Sequence, residues 1–393
     1  MSEISYVQKE IDLTSNRSIN GFYLSTFDLL NKNHALSGVE RKILNQINCF
    51  NEAGLNCTPI FCKESNNRIR RGIGTLPFVS DGIAWPSAAS LKDASYLYIR
   101  RPLFFSKELL KFLMKVRAFN PSILIIVELP TYPYDKEMNK PELFFAAKKD
   151  VKYRNLLHKC IDYIADLSGA DRIFNIPTLH IINGIDLKNV FPRTPSYYPE
   201  KPIEMIFPAQ FGPWHGCDLV LQGLGEYYKS GGNRNIILHL AGEGPETGHL
   251  RKLVDSLNLS DHVVLHGFKS RTQLDALYNQ CTLGVGCFGL HRRDSNCLDS
   301  SLKTREYLAK GIPFIYAGKV DVLESNPQDF CLGFKSIESP PDFEHVIAFH
   351  DHLYSANDEN DLIRRIRSFA ERTVSMQSAM SSVIWVLKNA KTL

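Results

Sequence analysis

The chain has 393 residues, 44% of them hydrophobic and 22% charged, with a formal charge of +4. That length exceeds what one hydrophobic core supports, so two domains are expected, and the composition is that of an ordinary soluble globular protein. The weak charge, with acids interleaved among the bases, argues against a nucleic-acid binder, and nine scattered cysteines without a Cys-x-x-Cys pair argue against a disulfide framework or zinc ribbon.

The N-terminus MSEISYVQKEIDL lacks the basic and apolar regions of a signal peptide, and the longest apolar runs fall short of a membrane span. The expected location is cytoplasmic, with any membrane role peripheral. The basic stretch RIRR at 68–71 is a candidate for touching anionic lipid, or simply a solvated loop.

Along the chain, 21–26, 57–61, 96–99, 123–128 and 179–182 have the short apolar character of buried strands. Amphipathic helices lie between them at 39–53, with Ile43, Ile47 and Phe50 on one face, and at 107–119. After the proline-rich stretch FPRTPSYYPEKP at 191–202 the pattern resumes. Strands are expected at 204–208, 236–241, 263–266, 283–286 and 314–316, and helices at 219–228, 245–257, 271–279 and 302–309. An amphipathic helix at 376–391 closes the chain. The alternation predicts an α/β protein of two facing Rossmann-like domains with an interdomain cleft. The expected boundaries are 1–192, joined by a returning C-terminal helix at 374–393, and 193–373.

Candidate site residues follow from strand ends and helix starts. Ser37–Gly38 opens the first helix, as a ligand-contacting loop or an ordinary entry turn; it is not Gly-x-Gly-x-x-Gly. ELPTYPYDKE begins at Glu128, after a buried strand, where open sheets place their sites. Asn183-Gly184-Ile185-Asp186 has the character of a structural turn. In the second half, QFGPWHGCD supplies Gln210 and His215 before a helix, and GEGP brings Gly242 to a strand end. HGF places His266 at another, where a flat base has room. Arg292 and Arg293 suit phosphate oxygens. In NCLDSSLKTREYLAKGIPF, Ser301 and the N–H groups of Leu302 and Lys303 start a helix suited to a diphosphate. Glu306, one turn on, suits the two hydroxyls of a ribose.

With these segments in order, the sequence resembles a GT-B glycosyltransferase of the retaining family 4 kind, through NGID, AGEGP, HGF and LKTREYLAKGIPF over roughly 181–318. ELPTYPYDKE, PWHGCD and GLHRR resemble a bacterial subgroup from surface-polysaccharide gene clusters. The resemblance implies transfer, with retention, from a nucleoside diphosphate sugar to an acceptor hydroxyl, with no metal or other cofactor required. The implied acceptor is a glycan, in particular a lipid-linked one, at the inner face of the cytoplasmic membrane. It implies donor contacts for Gly38, Gln210, Gly242, His266, Arg293, Asp299, Ser301, Leu302, Lys303 and Glu306. It implies catalytic roles for Glu128, His215 and Arg292, and a crossover for the C-terminal helix.

Two elements depart from the family pattern. Leu298 stands where the first glutamate of Glu-x7-Glu is expected, with Asp299 beside it. Gln210 and His215 stand where the family has an arginine and a lysine, and His215 is a cation only if its pKa is held up. A catalytically inactive partner subunit and a sugar-nucleotide epimerase of the same fold are the alternative readings.

Overall fold

The computed structural model describes residues 19–27, 38–62, 68–293 and 298–389. Ser37 lies outside them, as do Asn296 and Cys297, and the side chains of Arg68, Arg70 and Arg71 are likewise not described. The chain divides into two compact units. One holds the described residues of Met1–Ala165, Ala170–Leu179 and Val383–Leu393; the other holds Asp166–Gly169 and His180–Ser382.

The first unit contains strands β1 (Gly21–Ser25), β2 (Cys57–Phe61), β3 (Tyr96–Arg100), β4 (Leu124–Leu129), β5 (Tyr163–Asp166), β6 (Arg172–Ile173) and β7 (Ile176–His180). They form one sheet in the order β2-β1-β3-β4-β5-β7-β6. Pairing from β2 through β4 is parallel, and β6 with β7 is antiparallel. Its helices are α1 (Gly38–Glu52), α2 (Arg68–Gly74), α3 (Lys107–Phe119), α4 (Asp135–Met138) and α5 (Phe144–Arg154). Ser106 caps α3 by accepting from Leu109 N–H at 3.1 Å. The strand expected at 179–182 begins earlier. Phe174 and Asn175, both at positive φ, turn β6 back onto β7 without the usual glycine.

The second unit carries β8 (Ile203–Pro208), β9 (Ile236–Ala241), β10 (Val263–Gly267), β11 (Leu283–Val285), β12 (Leu298–Asp299), β13 (Phe314–Ala317), β14 (Lys319–Val320) and β15 (Cys331–Phe334). Six of them form a sheet in the order β10-β9-β8-β11-β13-β15, and β12 pairs with β14 separately. Helices α6 (Cys217–Lys229), α7 (Thr247–Ser256), α8 (Arg271–Gln280), α9 (Leu302–Lys310), α10 (Asp321–Glu324), α11 (Phe343–Ala356), α12 (Glu359–Thr373) and α13 (Met376–Ala379) complete it. The period-two character of β8 explains the layers. Ile203, Met205 and Phe207 join a core with Leu221 and Leu224 of α6, whereas Ile206 joins one with Leu308 of α9 and Leu362 of α12. The last expected helix is two pieces, α13 and α14 (Ser381–Asn389), separated at Met380.

Candidate functional site

In the second sheet the chain runs outward from β8 to β10 on one side and from β11 to β15 on the other. The reversal falls between β8 and β11, the place where open parallel sheets bind ligands beyond their strand ends. The loops that leave these two strands lock together there. A Cβ on Gly216 would lie 2.3 Å from Gly289 N, and Phe288 N–H donates to the His215 carbonyl at 2.8 Å. Gly216 has φ 64°, so glycine meets both the left-handed backbone and the close approach.

His215 sits in this junction as a neutral base. Its Nδ1 accepts from Gly212 N–H at 3.0 Å, which leaves the ring proton on Nε2 as a donor. Burial pushes its pKa down, and the neighbouring Lys303 ammonium pushes it further, to about 3. The cationic histidine considered from sequence is thus replaced by a neutral Nε2–H donor. Lys303 supplies the charge. It is buried, its Nζ lies 3.3 Å from Cys287 Sγ and 4.7 Å from the centre of the Phe207 ring, and no carboxylate among the described residues pairs with it.

Lys303 stands in the first turn of α9, whose start is held by a network. Arg305 is fully buried and donates to Asn183 O at 2.9 Å and Ser300 Oγ at 3.0 Å, and it pairs with Asp321. Asn183 returns two bonds to Ser300. The turn in NGID thereby becomes a brace for the α9 start. Asp299 accepts from Ser301 N–H at 2.7 Å. Its other carboxylate oxygen, and the Ser301 hydroxyl, are buried without a partner among the described residues. Leu302 is exposed beside them. Glu306 accepts from the buried Tyr278 hydroxyl, which orients it. The helix ends at Gly311, φ 74°, where a Cβ would meet Ile363 at 2.6 Å, and Pro313 follows.

Arg292 does not offer a free guanidinium. It makes a bidentate pair with Asp218 at 2.9 and 2.8 Å, binds Glu338 through Nε at 2.9 Å and Nη2, and donates to Pro213 O at 3.0 Å. These bonds draw its pKa upward, and Arg292 with His291 holds Glu338 down at about 2. Arg292 therefore braces the interlocked loops, and Arg293 beside it is exposed.

Gly242 and Gly244 bring the GEGP loop against the backbone after β8. A Cβ on Gly242 would lie 1.9 Å from Ala209 O, and one on Gly244 2.3 Å from Phe211 O. Gln210 is exposed on this ridge. His266 ends a relay across three strands: Glu204 to His239 at 2.6 Å, and His239 to His266 at 2.8 Å. The tautomers that satisfy both contacts put a proton on Nε2 of each ring and leave His266 Nδ1 as an acceptor. Burial, followed by His239 and Lys269, lowers the His266 pKa.

Gly38 and Glu128 belong to the first unit. Gly38 opens α1, and a Cβ there would meet nothing within 4 Å. Glu128 lies inside β4 and is fully buried. Lys42 (2.9 Å) and Arg100 pair with Oε1, and Tyr98 (2.9 Å) and Gln46 (3.0 Å) donate to Oε2. Burial pushes its pKa up, but Arg100 and Lys42 outweigh it and hold the carboxyl at about 2. Expected in a catalytic role, Glu128 has both oxygens engaged by side chains of its own unit. Arg305 and Tyr278 were not among the predicted contacts, although Arg305 carries a charge on an otherwise packed turn of α9.

Residues 193–287 match the family model for glycosyl transferases group 1. The structure of HepE from Anabaena in complex with UDP has a TM-score of 0.58 at 11% identity, covering 95% of this chain and 100% of that one. Sucrose-phosphate synthase from Thermosynechococcus elongatus gives 0.61 at 13% identity, over 95% and 99%. The apo lipopolysaccharide outer core galactosyltransferase WaaB gives 0.54 at 14% identity, over 95% and 99%. No curated protein matches the sequence. The fold is GT-B. Within it, residues 193–287 form a segment similar to glycosyl transferases group 1.

Proposed function

We propose that the chain transfers a sugar from a nucleoside diphosphate sugar to a glycan acceptor hydroxyl with retention. The observation that carries this is the α9 start, where Lys303 is buried with no carboxylate partner among the described residues, beside a neutral His215 donor. Lys303, the first N–H groups of α9 and His215 Nε2–H neutralise the departing diphosphate, which is the main catalytic device. Glu306, oriented by Tyr278, accepts the ribose hydroxyls. The open oxygen of Asp299 accepts a sugar hydroxyl, in place of the glutamate that Leu298 replaces. His266 Nδ1 and the GEGP backbone face the base. The leaving diphosphate takes the acceptor proton on the same face, so the step needs no separate base.

The HepE complexes with UDP and UDP-glucose favour a uridine nucleotide as the first donor to test. The WaaB likeness favours surface polysaccharide, as O-antigen or capsule, with a lipid-linked acceptor at the cytoplasmic membrane face. The test is a thermal-shift screen against UDP, GDP, dTDP, CMP and their sugar conjugates, with Glu306→Ala alongside. A shift with one nucleotide, lost in the variant, supports the reading; no shift with any of them sinks it. Turnover of the bound donor, with the anomeric outcome read by NMR, separates a retaining enzyme from a binding subunit or an epimerase.

A further inference from the structure

Helix α5, FFAAKKDVKYR, buries Lys149 and Asp150 beside Ala146 and Tyr153 and leaves Phe144, Phe145 and Val151 exposed. A surface helix ordinarily buries its apolar face and exposes its charges. Here Lys149 and Asp150 point inward, with Lys149 Nζ donating to Gly74 O and Val79 O at 2.8 Å each, and Asp150 accepting from Phe105 N–H and the Tyr134 hydroxyl. Phe144, Phe145 and Val151 point outward, 51%, 45% and 44% exposed. The two rings meet edge to face at 5.4 Å, and Lys148 Nζ lies 4.3 Å from the centre of the Phe144 ring. Lys148 and Lys152 share this exposed face, and neither has a carboxylate partner among the described residues. Beside it a cavity of about 330 Å³ is lined by Lys136, Lys140, Phe144, Val151 and Arg154. The acids at its wall, Asp135 and Asp150, are held by Arg154 at 2.9 and 3.5 Å.

We propose that the outward face of α5 docks on an anionic phospholipid surface. Phe144, Phe145 and Val151 enter the headgroup–acyl boundary, and Lys140, Lys148 and Lys152 pair with headgroup phosphates. Aromatic rings flanked by unpaired lysines complement such a surface in both apolarity and charge. A second copy fits less well. A two-fold contact would set Lys148 and Lys152 against their own counterparts, and three apolar side chains fall short of the area a stable dimer buries. The purpose of the docking, delivery to a lipid-linked acceptor, rests on the proposed function; the docking itself does not.

The test is flotation with vesicles of phosphatidylcholine alone and of phosphatidylcholine with phosphatidylglycerol, at low and high salt. Wild-type protein is expected to float with the anionic vesicles and to be released by salt. Phe144→Ser with Phe145→Ser lowers binding about tenfold or more, and Lys148→Glu with Lys152→Glu removes the preference for the anionic lipid. All four side chains are exposed, so both variants keep the wild-type melting temperature, checked by circular dichroism. Wild-type protein that stays with the buffer, or variants that float equally well, overturn the proposal. So does a wild-type dimer that the phenylalanine variant turns into a monomer with vesicle binding unchanged. The nucleotide thermal shift, measured without vesicles, stays the same in both variants. If that shift is absent from the wild type while flotation persists, the glycosyltransferase reading fails and the docking stands.

Discussion

Each unit gathers charge near the reversal point of its sheet, and the two clusters differ in how completely they are paired. In the first unit Glu128, Lys42, Arg100, Tyr98, Gln46 and Tyr23 close on one another, and both carboxylate oxygens are taken. In the second, Lys303 has no carboxylate, His215 keeps a donor, and Asp299 and Ser301 each leave an atom unpartnered among the described residues. A buried polar group without a partner costs free energy in the empty protein. A closed network holds a unit together, whereas an open one holds that cost until a ligand arrives.

The sharpest way to break the contrast is Glu128→Ala. It strands Arg100 and Lys42 as buried charges, and the expected loss of stability is about 3–5 kcal/mol. Urea denaturation followed through Trp85, which stacks on Phe112, reads it. A small loss accompanied by abolished transfer would make Glu128 a catalytic group and remove the distinction. The same carboxyl predicts an acid effect. Its pKa falls from an ordinary 4.5 to about 2 on folding, so its contribution is complete above 4.5 and is lost as pH drops through 2. The size is about 3 kcal/mol, absent from Glu128→Gln. His215 acts over a higher window. Its pKa falls from 6.5 to about 3, so stability declines as pH drops below 6.5, and His215→Gln should flatten that slope.

Lys303→Ala should do the opposite of Glu128→Ala. Nucleotide binding should weaken about tenfold to a hundredfold, from loss of a charge-assisted bond. Stability should hold or rise, because a buried ammonium with no carboxylate partner among the described residues is removed; calorimetry with and without nucleotide separates the two. Arg292→Ala should cost about 1–2 kcal/mol by releasing Asp218 and Glu338 together, with binding weakened but retained in the same titrations. Ser301→Ala should be the mildest. Its hydroxyl has no partner among the described residues, so the melting temperature should not fall, and affinity should drop no more than about tenfold. A fall in melting temperature would show that the hydroxyl is already satisfied in the free protein.

Much of the second unit was legible from residues near one another in the chain. Lys303 and Glu306 sit on one helix, Ser301 and Asp299 at its entry, and Gly311–Pro313 at its exit, so helical period and capping chemistry sufficed. Glu128 and Arg292 were harder, because their partners come from far away. Glu128 meets Gln46 82 residues off, and Arg292 meets Asp218 74 residues off and Glu338 46 residues off. A lone carboxylate at a strand end has the same sequence signature whether it faces a ligand or an arginine.

Legible from the sequence alone were the two α/β units, most of the strands and helices, and the helix start proposed for a diphosphate. Those features rest on period, turn chemistry and local charge, which act over a few residues. Only the tertiary structure decided which charges are spent internally, that His215 is neutral, and that α5 turns its phenylalanines outward. Pairing and burial depend on which distant strands and loops meet, and they set both protonation state and the availability of a group for a ligand.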